Sequence, residues 1–134
     1  MNILKAIIET TEKNYSAYLE GIDGIVATGD TISEIEVHLI EAINDYVDAC
    51  RELECDLPEQ LNGEYTVEFS MDVKSLFTIY SGIFTKSGLE RLTGINQKQL
   101  WHYANGKSVP RRAQADRIEN ALHRLGNELI AIRL

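Results

Sequence analysis

The apolar residues Ile32, Ile35, Leu39, Ile43, Val47, Cys50 and Leu53, joined by Tyr46, recur three or four positions apart. That period belongs to a helix with a single apolar stripe, and a segment of this length makes about six turns. Such a helix draws its stability from what its stripe is packed against, so the rest of the chain has to supply a second layer. Thr31 and Glu34 frame its start as a capping box: the threonine oxygen accepts from the amide three residues on, and the glutamate reaches back. Pro58 and the polar stretch to Gly63 end it.

The flanking segments read as that layer. Ile3 to Ile8 is a β-branched run, Glu12-Lys13-Asn14 makes a polar turn, and Tyr15, Ala17 and Leu19 then alternate with Ser16, Tyr18 and Glu20. Gly21, Asp23 and Gly24 break the chain before a short third strand, Ile25 to Thr28, which completes an antiparallel meander. Beyond the helix, Tyr65, Val67, Phe69 and Met71 alternate with Thr66, Glu68 and Ser70 at a period of two. Residues 1–71 are therefore expected to form an α+β domain, a small antiparallel sheet with one long helix.

From Asp72 onward the period is helical. Asp72 caps a helix carrying Val73, Leu76, Phe77, Tyr80 and Phe84, and Thr85 caps a short one from Lys86 to Leu92, stopped by Thr93-Gly94. Asn96 caps Gln97 to Ala104, closed by Asn105-Gly106, and Ser108-Val109-Pro110 opens a last helix with Ala113, Ile118, Leu122, Leu125 and Leu129 as its apolar positions. Residues 72–134 are expected to be a separate all-α domain. Leu129, Ile130, Ile132 and Leu134 extend past that helix and predict an edge strand or a dimer contact, because a monomer would leave them bare.

Charge divides along the same lines. Residues 1–75 hold Lys5, Lys13, Arg51 and Lys74 against 17 acidic side chains, a net −13. Residues 76–134 hold nine Lys or Arg against Glu90, Asp116, Glu119 and Glu128, a net +5, and the two segments together give the −8 of the whole chain. A pI near 4.8 conceals a basic segment suited to phosphate and an acidic one suited to a cationic partner.

The run Leu89-x-x-Leu92-Thr93-Gly94-Ile95-Asn96-x-x-x-Leu100-x-x-Tyr103-x-x-Gly106 resembles the helix-turn-helix of the Xre and Cro repressor class. The resemblance implies that Leu89, Leu92, Ile95, Leu100 and Tyr103 face inward, that Gly94 makes the turn with positive φ, and that Asn96 caps the recognition helix. Gln97, Lys98 and Gln99 would lie on its first turn with His102 one turn on, and would read bases in the major groove. Thr85, Lys86, Lys107, Ser108, Arg111 and Arg112 would hold phosphates, while Trp101 is expected to pack in the core. The stretch from Tyr18-Leu19-Glu20-Gly21 through Ala27-Thr28-Gly29-Asp30-Thr31 and into Ile43 resembles the N-terminal domain of HicB-family antitoxins, whose topology is akin to part of the RNase H fold.

Together these resemblances imply an antitoxin of a type II toxin–antitoxin system. The N-terminal domain would cover a small basic HicA-like toxin that cleaves mRNA, with Glu41, Asp45, Asp48 and Glu52 on the outer helix face meeting the cationic surface. The C-terminal domain would repress the operon by binding double-stranded operator DNA as a homodimer or higher oligomer, with recognition helices about 34 Å apart. The competing reading is a stand-alone helix-turn-helix transcription regulator with an N-terminal ligand- or protein-sensing domain.

An enzyme would need metal-binding carboxylates such as Asp23, Asp30 and Glu34, yet the first belongs to a glycine-rich turn and the other two to a helix cap. No enzyme activity, metal or cofactor is expected. Cys50 and Cys55 match neither a Cys-x-x-Cys motif nor a disulfide framework and read as reduced thiols in the cytoplasm. The start, Met1 to Lys5, is too soon charged for a secretory signal, and no apolar run reaches the length of a membrane span.

Overall fold

Alternation in the first 29 residues produces three strands, β1 (Asn2–Thr10), β2 (Tyr15–Leu19) and β3 (Val26–Gly29), in the computed structural model, which describes all 134 residues. Each is antiparallel to the next, in registers that include Ala6 opposite Leu19 and Ala17 opposite Ala27. The chain then enters α1 (Ile32–Glu52) through the capping box. Thr31 Oγ1 accepts from the Glu34 amide at 3.1 Å, and Glu34 Oε2 accepts from the Asp30 amide at 2.8 Å. Gly29 is buried where the first turn of α1 crosses it: a Cβ there would stand 3.1 Å from the Ile35 backbone nitrogen.

The fourth strand, β4 (Tyr65–Ser70), pairs with β1 in parallel, with Leu4 opposite Val67 and Ala6 opposite Phe69. The sheet is therefore mixed, in the order β3-β2-β1-β4, and the expectation of an antiparallel sheet is corrected. β3 runs in the same direction as β1, since both oppose β2. A helix following β3 carries the chain back to the end where β3 began, so the next strand again runs with β1.

The α1 stripe of Ile35, Leu39, Ile43 and Val47 meets Leu4, Ala6, Ile8, Ala17, Leu19 and Ala27 on one face of the sheet. Leu61, from a short 3-10 turn (Glu59–Leu61) beside β1, joins the same core. The opposite sheet face is open, with Ile3, Tyr18 and Val26 exposed. Lys5 and Glu20 lie 3.8 Å apart with both side chains mostly in solvent, so this pair contributes little stability.

Met1–Met71 and Asp72–Leu134 are separate compact units. The second contains α2 (Val73–Ile79), α3 (Lys86–Thr93), α4 (Gln97–Ala104) and α5 (Arg112–Ala131) around Phe77, Leu89, Ile95, Leu100, Tyr103 and Ile118. The molecule as a whole is thus α+β, a four-strand mixed sheet and five α-helices.

Three boundaries differ from the sequence reading. The first is at α2, which ends at Ile79, so Phe84 packs on the core from the following loop. The second is the start of α5 at Arg112, whose N-cap Arg111 makes no side-chain cap, leaving Ser108 to Pro110 in the loop. Lastly, α5 continues to Ala131, so Leu129 and Ile130 are helical and residues 132–134 form no strand. Gly126 weakens that helix by about 1 kcal/mol, but no proline follows to stop it, and an all-α unit has no strand for the tail to pair with.

Leu39 has no exposed surface, whereas Val37 on the same helix is 55% exposed. Leu39→Ala is expected to lower the unfolding free energy by about 2–5 kcal/mol, read as an earlier urea midpoint. Val37→Ala should stay within about 0.5 kcal/mol of the parent chain.

Candidate functional site

α3 and α4 are joined by a tight turn, Thr93 to Asn96, held by hydrogen bonds from side chains and backbone. Gly94 closes α3 in the left-handed region, at φ 72°, and its amide donates to the Glu90 carbonyl at 2.7 Å. Glycine is favoured here by its positive φ; a Cβ would also lie 2.6 Å from Arg117 Nη2, the end of a flexible side chain that can move aside. Thr93, buried beside it, donates through Oγ1 to the Leu89 carbonyl at 2.7 Å and accepts from the Ile95 amide at 3.1 Å. Those two hydrogen bonds to the backbone direct Ile95 into the core. Asn96 then caps α4, its Oδ1 accepting from the Lys98 amide at 2.8 Å.

Leu100 and Tyr103 take the buried positions of α4, which turns Gln97, Lys98, Trp101 and Asn105 outward. The helix ends on Gly106 at φ 73°, and two hydrogen bonds fold the chain back: Gly106 N–H to Tyr103 O at 3.2 Å and Lys107 N–H to His102 O at 2.9 Å. This six-to-one and five-to-two closure is a Schellman motif. It sets the Lys107 ammonium 4.2 Å from the centre of the Trp101 ring, a cation held against the outer face of the helix.

Trp101 is 44% exposed, which corrects the expectation that it packs in the core. Its position explains the miss. Leu100, Tyr103 and Ala104 define the inner stripe, and Trp101 stands one residue off it, about 100° round the helix. An aromatic residue reads as core only when it lies on the stripe.

The other sequence-derived candidates fall into two groups. Gln97 and Lys98 are exposed on the first turn of α4, with Lys107, Arg111 and Arg112 exposed in the loop and helix start beyond it. Gln99 and His102 are half-buried, and Gln99 Nε2 donates to Ser108 Oγ at 3.1 Å, which ties these two candidates, Gln99 and Ser108, to each other. Thr85 caps α3 by accepting from the Gly88 amide at 3.0 Å, and Lys86 beside it is half-buried. Arg112 faces Asp116 one turn along α5 at 3.0 Å, an exposed pair of the kind solvent screens.

Two arginines that sequence reasoning left unassigned serve α3 instead: Arg117 and Arg124 donate to the Gly94 and Leu92 carbonyls, each at 3.4 Å. Cations suit the carbonyl end of a helix, where the dipole is negative. Their i,i+7 spacing, which places both on one face of α5, was the sequence signal available for them.

In the other unit, Glu41, Asp45, Asp48 and Glu52 are all exposed on α1, along with Val37 and Ile40. They make an acidic helix surface with an apolar margin. Residues 1–71 carry 3 basic against 16 acidic side chains, and residues 72–134 carry 10 basic against 5 acidic. Of the carboxylates considered for metal binding, Asp23 is exposed in its turn and Glu34 is committed to the α1 cap. His38 Nδ1 donates to the Thr28 carbonyl at 2.7 Å, on the outer edge strand β3.

Protein-family models, curated proteins and solved structures were compared with the chain, and none matched. No helix is long and apolar enough to cross a membrane.

Trp101 is the single tryptophan, so its fluorescence reports this surface alone. Acrylamide is expected to quench it in the folded protein with at least half the efficiency seen in urea. A quenching constant several-fold lower would mean that the ring is enclosed.

Proposed function

We propose that the protein binds double-stranded DNA through α4, with α3 and α4 acting as a helix-turn-helix of the Xre and Cro type, and that its N-terminal unit is the partner-binding domain of a HicB-type antitoxin. One observation carries the DNA reading: the unit with the net positive charge is also the one whose α4 has a polar, exposed first turn bordered by Lys107, Arg111 and Arg112. In this reading Gln97 and Lys98 enter the major groove, where glutamine pairs with adenine and lysine donates to guanine. Thr85, Lys86, Lys107, Ser108, Arg111 and Arg112 lie at the helix ends and hold phosphates, fixing register without reading sequence.

Recognition of a palindromic operator calls for two copies related by a two-fold axis. The exposed Leu129, Ile130, Ile132 and Leu134 are the apolar surface in this unit that a second copy would cover. On the acidic unit, Glu41, Asp45, Asp48 and Glu52 supply the potential that draws a small basic HicA-like ribonuclease toward it. The two activities together describe an antitoxin that neutralises its toxin and represses the operon encoding both.

Two measurements test the halves separately. The Gln97→Ala, Lys98→Ala double variant should lose discrimination for DNA upstream of its own reading frame, by about 1–3 kcal/mol per contact. It should still bind any duplex weakly and in a salt-sensitive way, and footprints identical to those of the parent protein would reject the assignment. Charge reversal at Asp45 and Asp48 should slow association with the small basic toxin that this function requires by about tenfold at low salt. Equal stopped-flow on-rates would remove the acidic face from the interaction.

A further inference from the structure

α1 ends in a way that brings its two cysteines together. Glu54 stands at φ 55°, and no other residue except glycine in the chain has a positive φ. With that residue turned, the Cys55 amide donates to the Cys50 carbonyl at 2.9 Å and the Glu54 amide to the Arg51 carbonyl at 3.2 Å. This is again the six-to-one and five-to-two closure, in which the side chains of the first and last residues meet. Here those residues are Cys50 and Cys55. The hydrogen bond and ordinary bond lengths hold their Cα atoms no more than about 6.8 Å apart, inside the range that a disulfide spans.

The two thiols are differently placed. Cys50 is buried and Cys55 is exposed. Burial raises the pKa of Cys50, and the nearby Cys55 and Asp56 raise it further, so the inner thiol is held protonated beside an outer one that solvent reaches. The helix cap uses only backbone groups of these two residues, and a simple apolar side-chain contact would suffice for it. A pair of thiols adds a chemistry that the cap does not need.

We propose that Cys50 and Cys55 form a dithiol modification site that small-molecule disulfides convert reversibly into an intrachain disulfide closing the C-terminal cap of α1. The exposed Cys55 thiolate attacks one sulfur of the reagent, forming a mixed disulfide and releasing one thiolate. With Cys55 in the mixed disulfide, its charge no longer opposes ionisation of Cys50; the Cys50 thiol gives its proton to solvent, attacks Cys55 Sγ and releases the second thiolate. Two protein thiols are oxidised, the reagent disulfide is reduced to two thiols, and the two protons lost by the cysteines end on those products. The resulting ring encloses Arg51 to Glu54 and fixes the left-handed residue that the reduced cap leaves to a pair of backbone hydrogen bonds.

The test equilibrates the full chain in buffers of reduced and oxidised glutathione, blocks free thiols with N-ethylmaleimide and reads the intact mass. The expected product is a monomer lighter by two hydrogens, with neither alkylation nor glutathione attached. Because the fold holds the pair together, half-oxidation should occur at a ratio of squared reduced to oxidised glutathione at least about tenfold higher for the native protein than for the chain in urea. Cys55→Ser, a change at an exposed position, should abolish the loss of two hydrogens while leaving the circular dichroism unchanged. A smaller ratio, or products confined to glutathione adducts and interchain dimers, overturns the proposal.

Discussion

Burial of one helix stripe on one sheet face is the interaction on which the N-terminal unit depends. Ile35, Leu39 and Ile43 are almost without exposed surface, and so are Leu4, Ala6, Ile8, Ala17 and Leu19 opposite them. Each large apolar side chain buried in this way contributes about 1.5–3 kcal/mol, far more than the exposed Lys5–Glu20 pair on the other face can. A two-layer arrangement also leaves two surfaces free, the outside of the helix and the back of the sheet. The helix surface is where the carboxylates accumulate, because a side chain turned away from the stripe incurs no desolvation cost for its charge. The acidic face of α1 follows from its packing, whichever partner it meets.

Helix ends do comparable work throughout the molecule. Gly94, Gly106 and Glu54 each adopt the left-handed conformation after a helix, and each sends the following residue to a particular place. Ile95 enters the core of the C-terminal unit, Lys107 folds over Trp101, and Cys55 returns to Cys50. The physical cause is common to all three: the last carbonyls of a helix need donors, and the reversed chain supplies its own amides. A side chain carried on those amides is thereby fixed with little freedom. The candidate DNA surface and the dithiol are both by-products of satisfying backbone hydrogen bonds.

Much of this was legible from the chain. The capping box at Thr31 and Glu34, the stripe from Ile35 to Cys50 and the caps at Asp72, Thr85 and Asn96 are local patterns, and local patterns report local structure. Strand direction was not legible, because a period of two is the same whether β4 runs with β1 or against it. Nor was the reach of α5, since Leu129 and Ile130 suit a helix and a strand equally by composition. Among the candidate site residues, Gln97 and Lys98 stood where spacing put them. Gln99 was drawn aside by Ser108, a residue nine positions away that no pattern within one helix includes.

The sequence by itself determined where the capped helices α1 to α4 begin, which faces of the elements are apolar, and that positive charge gathers after residue 75. These are properties of neighbours along the chain, set by dihedral preference, capping and the period of the hydrophobic residues. Tertiary structure alone decided the parallel pairing of β4, the packing of Phe84 on the core from its loop and the tie between Gln99 and Ser108. Each of those depends on a reversal or crossover of the backbone. Only the closed hydrogen bonds and packed layers of the folded chain choose which of several permitted directions it takes.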